Sequence, residues 1–315
     1  MKRMRSEKER KNSEIENNVS VAGRPVIGKG RTAAVYDMGG GKVMKLFDPS
    51  VPFESIRQEY ELTYLAHEKG IPAANAYEIV MNGERYGIMM EKMKGVELEA
   101  YIKEHPDKSN DLINMFAGFV SKLHQMDNHD ERMRDIRAYS ISLTEQLDPS
   151  FCSKDEAEKI RAVFECIPYA TTFVHGDCHP GNVMIAGDEM RLIDMMLCGK
   201  GHPVFDLLCM YSHYVFLPSF ITDDDCIFRF GLDKKQLESL YDSFLLAYFD
   251  KSEDQDIFDG KVRDMADIKE QIRGVHAARL CLASVVMPGA FPDEVLTASK
   301  NRAVRFADMY CSRLF

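Results

Sequence analysis

Residues 173–185 read FVHGDCHPGNVMI and set Asp177 and Asn182 five positions apart, on a polar loop between apolar stretches. Twelve positions further on, Asp194 closes the apolar run MRLID. A carboxylate that can take a proton, a neutral oxygen donor and a second carboxylate are what phosphoryl transfer to a hydroxyl requires. One orients and deprotonates the attacking oxygen, and the other two offer hard oxygen ligands to magnesium. Without that chemistry the stretch is a polar loop with Asp and Asn as turn formers. Lys45 favours the chemistry: in KVMKLF it sits mid-strand among Val43, Leu46 and Phe47, where a partly buried ammonium needs an anion. Glu59, on the helical stretch that follows, offers one, and Glu61 cannot share its face. A lysine facing water from an edge strand is the plainer alternative. Gly28-Lys29-Gly30 is a turn whose bare backbone can approach phosphate oxygens. With Ala33 where a third glycine would complete a phosphate-binding fingerprint, it also reads as an ordinary hairpin turn.

The elements that must hold these residues change character along the chain. From Val21 to Phe47, short apolar runs punctuated by glycine predict two or three strands with turns at 28–30 and 39–41. PFESIRQEYELTYLAHEKG has apolar residues at helical spacing (Ile56, Tyr60, Tyr64, Leu65) and ends on Gly70, a C′ glycine. AYEIVMNGERYGIMMEKM predicts a hairpin turning at Asn82-Gly83. After Gly95 the periodicity turns helical, near 97–105, 110–127, 154–166, 204–216, 234–250, 264–285 and 293–313, with short strands around loops over 172–195. The first twenty residues are polar and charge-dense, a tail outside the fold.

Composition narrows the function classes. The net charge of −10 argues against a general nucleic-acid binder. Residues 21–93 hold nine basic and nine acidic residues, whereas 94–315 hold 25 basic and 37 acidic, so the acidity lies in the C-terminal two-thirds. The start of the chain has no apolar signal-peptide core, and the longest apolar stretch, VFDLLCMYSHYVFLP, is too short to span a bilayer. A cytoplasmic protein without membrane attachment is expected. None of the eight cysteines forms a C-x-x-C pair, which predicts buried reduced thiols. His179 reads as a residue that orients its loop, and His124 and His129 as surface or helix-end residues. Asp223 to Asp225 read as solvated loop carboxylates.

HGDCHPGN followed by LID and GHPVFDL resembles the aminoglycoside phosphotransferase and choline kinase group, relatives of protein kinases that phosphorylate small molecules. IGKGRTAAVY, VMKLF, QEYELTYLAHEKGIPAANAYEIV and MEKMKG match the same group's N-lobe in order, so the resemblance covers about residues 24–210. It implies an α+β, two-lobed protein-kinase-like fold. A small β-rich, nucleotide-binding N-lobe with one helix would span 21–93. A larger, mainly helical C-lobe with the catalytic loop and the acceptor site would span 94–315. It further implies that Gly28 and Gly30 cover the phosphates of ATP, that Lys45 contacts them and that Glu59 holds Lys45. Glu91 to Met93 would be the hinge whose backbone meets adenine. Asp177 would be the catalytic base, Asn182 and Asp194 the ligands of Mg2+, and His175 and Asp206 the scaffolding of the catalytic loop. Two positions depart from the group's pattern. Met195-Met196 follow Asp194 where an aromatic or acidic residue is common, and His202 stands where an acidic residue is.

The expected activity is ATP- and Mg2+-dependent transfer of a phosphoryl group to a hydroxyl of a small molecule, such as an aminoglycoside, a choline-like amine or an amino sugar. The charge imbalance favours a neutral or cationic acceptor. The alternatives are a protein Ser/Thr kinase, against which the missing A-P-E segment counts, and a non-catalytic nucleotide-binding protein of the same fold. Oligomeric state is left open.

Overall fold

Five antiparallel strands carry Gly28, Lys45 and Glu91 among their residues: β1 (Val26–Lys29), β2 (Ala33–Gly39), β3 (Lys42–Phe47), β4 (Ala76–Asn82) and β5 (Arg85–Glu91), in the order β1-β2-β3-β5-β4. The computed structural model describes residues 17–251 and 264–311. Alternation along β3 divides its side chains between two faces. Phe47 joins Ala33, Ala76 and Ile88 in a cluster with Ile56 of helix α1 (Phe53–Glu68). Met44 and Leu46 pack on the other face with Val80 and Met89, where Val19 and Val21 lie against them. That face explains why Asn17 to Ser20, grouped with the charged tail by composition, belong with the sheet. The amide of Met81 donates to Asn17 O at 2.9 Å and that of Val19 to Met81 O at 2.7 Å. The rest of the expected tail, 1–16, lies outside the described residues.

The hairpin forms where Asn82-Gly83 marks it, but shifted. Asn82 pairs with Arg85, so Gly83 and Glu84 form the two-residue loop, and Gly83 occupies its first position with φ +60°. Glycine in that place suits a type II′ turn rather than the type I′ turn expected of Asn-Gly.

The chain divides into two compact units. The first runs through Glu97 and takes back Asn182–Leu197, so β6 (Val96–Glu97), β7 (Val183–Ala186) and β8 (Glu189–Leu192) form its second, three-stranded antiparallel sheet. The second unit comprises Leu98–Gly181 and the chain from Cys198 on. Its helices are α2 (Leu98–Glu104), α3 (Ser109–His124), α4 (Ile136–Thr144), α5 (Lys154–Glu165), α6 (Val204–Tyr211), α7 (Asp223–Phe230), α8 (Lys234–Lys251), α9 (Met265–Val286) and α10 (Asp293–Phe306). Phe116, Phe164, Phe205, Phe244 and Phe306, from five of these helices, are fully buried, each contributing about 1.5–3 kcal/mol by leaving water.

Two helices were not expected. IRAYSISLT is rich in residues of middling helix propensity, yet Asp135 caps it by accepting from the Ala138 amide at 2.8 Å. Asp223 to Asp225 form no loop: they are the first turn of α7, where Thr222 and Asp225 make a reciprocal capping box and carboxylates suit the helix dipole. The expected helix over 204–216 ends as α6 at Tyr211 and continues through one π-helical turn, Ser212–Phe216. All eight cysteines are free thiols and seven are buried. Burial pushes Cys198 and Cys209 up to about 12. Among the described residues no helix is long and apolar enough to cross a membrane.

Candidate active site

Lys45 lies on the α1 side of β3, and α1 meets it with Glu59. The Lys45 Nζ donates to Glu59 Oε1 at 2.5 Å and to Asp194 Oδ1 at 3.2 Å. Burial alone would pull this ammonium down, but Glu59 and Asp194 outweigh it and hold it above its ordinary value, so Lys45 stays charged. The Glu59 side chain is only 3% exposed, and without the ammonium it would be an uncompensated buried charge. The edge-strand alternative for Lys45 is therefore excluded, since β3 runs between β2 and β5.

Asn182 and Asp194 are brought together by the hairpin that separates them in sequence. Val183 pairs with Leu192, and the Ile193 amide donates to Asn182 O at 3.0 Å. Asp194 follows with φ +60°, the only non-glycine residue in the left-handed region among the described residues. Aspartate tolerates that region better than most residues, at a cost of roughly 1–2 kcal/mol. Its side chain is 48% exposed.

Gly28 and Gly30 lie at the end of β1 and in the turn after it. Neither has positive φ, and a methyl group at either would meet its nearest neighbour at an ordinary 3.5 or 3.7 Å. Packing does not demand glycine at either position, which leaves close approach from outside as what a bare backbone provides. Glu91 ends β5, and its carboxylate is taken by Arg191, whose guanidinium donates to both oxygens at 2.7 and 2.8 Å and to Ala73 O at 2.8 Å. The Arg191 bond holds Glu91 below the usual carboxylate range. The next residue, Lys92, donates its amide to Gly41 O at 2.8 Å, and Met93 follows it.

Asp177 belongs to the second unit, on the loop after the two-residue strand Phe173–Val174. The loop is held from both polarities of its backbone. Asp206, at the start of α6, accepts from the His175 amide at 2.9 Å and from the Gly176 amide at 2.6 Å. Arg279 of α9 donates to the carbonyl of Gly176 and, at 3.1 Å, to that of Phe205. Burial would raise the Asp206 carboxyl, but the His124 bond and the loop amides hold it below its ordinary value. His124 is therefore no surface residue. It ends α3 as expected, but it is buried, donating through Nε2 to Asp206 at 3.1 Å and meeting the Tyr248 hydroxyl at Nδ1, 2.8 Å away. His175 is buried, and its Nδ1 accepts from the Asp177 amide at 3.3 Å.

Sequence reasoning missed His124, Arg191 and Arg279. A signal existed for the two arginines: each is a lone cation in an apolar run, the feature that singled out Lys45.

Comparisons with known proteins bear on the fold and the family. The sequence pattern of the phosphotransferase enzyme family matches residues 25–234. No curated protein gives a significant match. Among solved structures, the ADP-bound aminoglycoside phosphotransferase APH(2'')-Ib is 16% identical with a TM-score of 0.53, over 98% of this chain and 99% of that one. The streptomycin–ATP ternary complex of APH(2'')-IIa is 15% identical with a TM-score of 0.53, over 97% and 96%. A choline/ethanolamine kinase family protein from Mesorhizobium loti is 13% identical with a TM-score of 0.52, over 92% and 87%. At such identities the likeness is one of fold, an antiparallel-sheet N-lobe and a helical C-lobe of the kinase-like kind. The family pattern spans two-thirds of the residues, Lys45, Asp177, Asn182 and Asp194 among them, and the chain belongs to the phosphotransferase enzyme family.

Proposed function

We propose that the protein transfers the γ-phosphoryl group of ATP to a hydroxyl of a small molecule in the presence of Mg2+. The observation that carries this reading is the charged triad of Lys45, Glu59 and Asp194, with the Asn182 carbonyl accepting from the Ile193 amide next to Asp194. In the reaction, Asp177 accepts the proton of the acceptor hydroxyl as its oxygen attacks the γ-phosphorus. The bond from that phosphorus to the β–γ bridging oxygen breaks, and ADP departs with the electron pair. Lys45, held by Glu59, pairs with phosphate oxygens, the backbone at Gly28 and Gly30 covers them, and Glu91 to Met93 form the adenine hinge.

The donor set suits magnesium. Among the described residues no three His, Cys, Asp or Glu side chains cluster as a metal cage. One carboxylate and one amide oxygen, completed by phosphate and water, are what this hard and reluctantly dehydrated ion takes. Magnesium, when bound, neutralises charge on the phosphate oxygens. ADP in APH(2'')-Ib and ATP with streptomycin in APH(2'')-IIa support the nucleotide and a small-molecule acceptor. The net charge of −12 over residues 94–315, from 25 basic and 37 acidic residues, favours a neutral or cationic acceptor.

The test is Asp177→Asn, which keeps size and removes the base. Phosphoryl transfer should fall about 10²-fold or more while nucleotide affinity changes little. An unchanged rate would remove Asp177 from the mechanism, and a wild type that binds ATP without turning it over would favour the reading as a non-catalytic nucleotide-binding protein.

A further inference from the structure

Beside Asp177 the second unit holds a cluster that the reaction above does not use: His179, His213 and Glu99. The rings of His179 and His213 stack with centroids 4.1 Å apart and planes 16° apart. His213, on the π-helical turn, donates its Nε2–H to Glu99 in the first turn of α2 by a short bond. The Gly181 amide donates to His179 Nδ1 at 3.1 Å. The remaining ring nitrogen, Nε2, lies 3.8 Å from Asp177 Oδ2.

We infer that His179 is the positioning residue of Asp177: it presents Nε2–H to the carboxylate and fixes its orientation toward the acceptor, with His213 and Glu99 as the wall behind it. This rests on the reading of Asp177 as the base. The tautomer follows from the bonds. A ring nitrogen that accepts from a backbone N–H carries no proton, so a neutral imidazole must carry its proton on the other nitrogen. The ring is neutral because burial, with His213 and His175 adding to it against Asp177 and Glu99, pulls His179 down to about 4. With Nδ1 engaged and Nε2 protonated, His179 has no lone pair for the acceptor's proton. It can donate, and it cannot replace Asp177 as base. At 3.8 Å the contact is longer than a formed hydrogen bond, in keeping with catalytic bonds that tighten only when substrate is bound.

The wall has its own chemistry. Burial raises the Glu99 carboxyl, but the His213 bond outweighs it and keeps Glu99 below its ordinary value. The clamp on His213 therefore persists at neutral pH. A methyl group on Gly181 would come within 2.9 Å of the His179 ring and 3.2 Å of Glu99, so glycine there lets ring and carboxylate stand close to the loop.

Two variants and one spectrum test this. His179→Phe keeps a packed ring and removes the donor, while His179→Gln places an N–H near the Nε2 position. ADP release from Mg2+-ATP, with water as acceptor, is compared in the wild type, both variants, Asp177→Asn, and Asp177→Asn combined with His179→Phe. The expected result is a fall in kcat of roughly 10-fold or more for His179→Phe, a part of what a positioned base contributes. KM for ATP should be unchanged, His179→Gln should recover most of the rate, and the Phe substitution should have no further effect in the Asp177→Asn background. A packing role would give the opposite order, Phe above Gln. Long-range 15N–1H spectra of histidine-labelled protein read the tautomer without any turnover and should show His179 protonated at Nε2 and not titrating above pH 5. A proton on Nδ1, or a His179→Phe rate within two-fold of the wild type while Asp177→Asn is inactive, would overturn the inference. Full activity of Asp177→Asn would instead overturn the reading it rests on.

Discussion

Asp206 and Asp194 are both aspartates beside apolar segments, and the two regions around them are built on opposite principles. Asp206 is 0% exposed and saturated: two loop amides and His124 point at it, and every contact serves geometry. Asp194 is 48% exposed, sits on a strained backbone and shares one ammonium with Glu59. A carboxylate that shapes a loop is buried and given more donors than it has charges. The carboxylate we propose as a ligand for an incoming ion keeps an open side and a partner that can turn elsewhere.

Stability is where this contrast should be largest. Asp206→Ala leaves two amides and an imidazole facing a void and should cost about 3–5 kcal/mol in chemical denaturation. Asp194→Ala should cost under about 1 kcal/mol, since its carboxylate is half exposed and Lys45 keeps Glu59 as a partner. Similar losses for the two would erase the distinction. Because the folded Asp206 carboxyl titrates below its ordinary value of 3.8, its contribution is fully present above that pH and fades as pH falls through the lower, folded value. The gap between wild type and Asp206→Asn should therefore narrow only below about pH 4.

The remaining predictions sharpen the other side of the comparison. Asp194→Ala should weaken Mg2+-dependent ATP binding by roughly 10-fold or more, the worth of a lost hard ligand, and leave metal-free binding in place. An unchanged magnesium requirement in calorimetry would make Asp194 a structural residue after all. Glu59→Gln exchanges a charged hydrogen bond for a neutral one and should raise the Kd for ATP about five-fold. Tighter ATP binding in that variant would show that Glu59 competes with the nucleotide for Lys45 instead of presenting it. The smallest effect concerns charge at a distance. A cationic acceptor steered by the acidic residues 94–315 should lose about two- to three-fold in kcat/KM between low and physiological salt, as screening sets in beyond about 8–10 Å. An anionic best acceptor, or indifference to salt, would detach the charge imbalance from recognition.

Local and long-range features differed in how far the sequence disclosed them. Lys45 and Glu59 are 14 residues apart, and both periodicities, the strand's and the helix's, point them at each other. The Asn182–Asp194 hairpin was legible for the same reason, since a short connection allows few geometries. His124 reaches Asp206 across 82 residues, and Arg279 reaches Gly176 across 103. No local pattern encodes which buried donor meets which acceptor at that range, although the cost of burying a lone arginine signals that some acceptor must exist. The α7 acids were misread because three carboxylates in a row suit a solvated loop and a helix's first turn equally well. Thr222 ahead of them decides it.

The return of Asn182–Leu197 to the first unit has a consequence for synthesis. When Glu97 has been made, β6 still lacks the strand it pairs with, and Glu91 lacks Arg191. Both partners are encoded beyond an interval of 84 residues, Leu98–Gly181. At about 5–20 residues per second that is a wait of roughly 4–17 s. The five-stranded sheet can form early, but the unit cannot be finished before the loop that carries Asp177 has been made. A chain that stops short of Asn182 is thus denied the aspartate that closes the triad and the strands that would hold it.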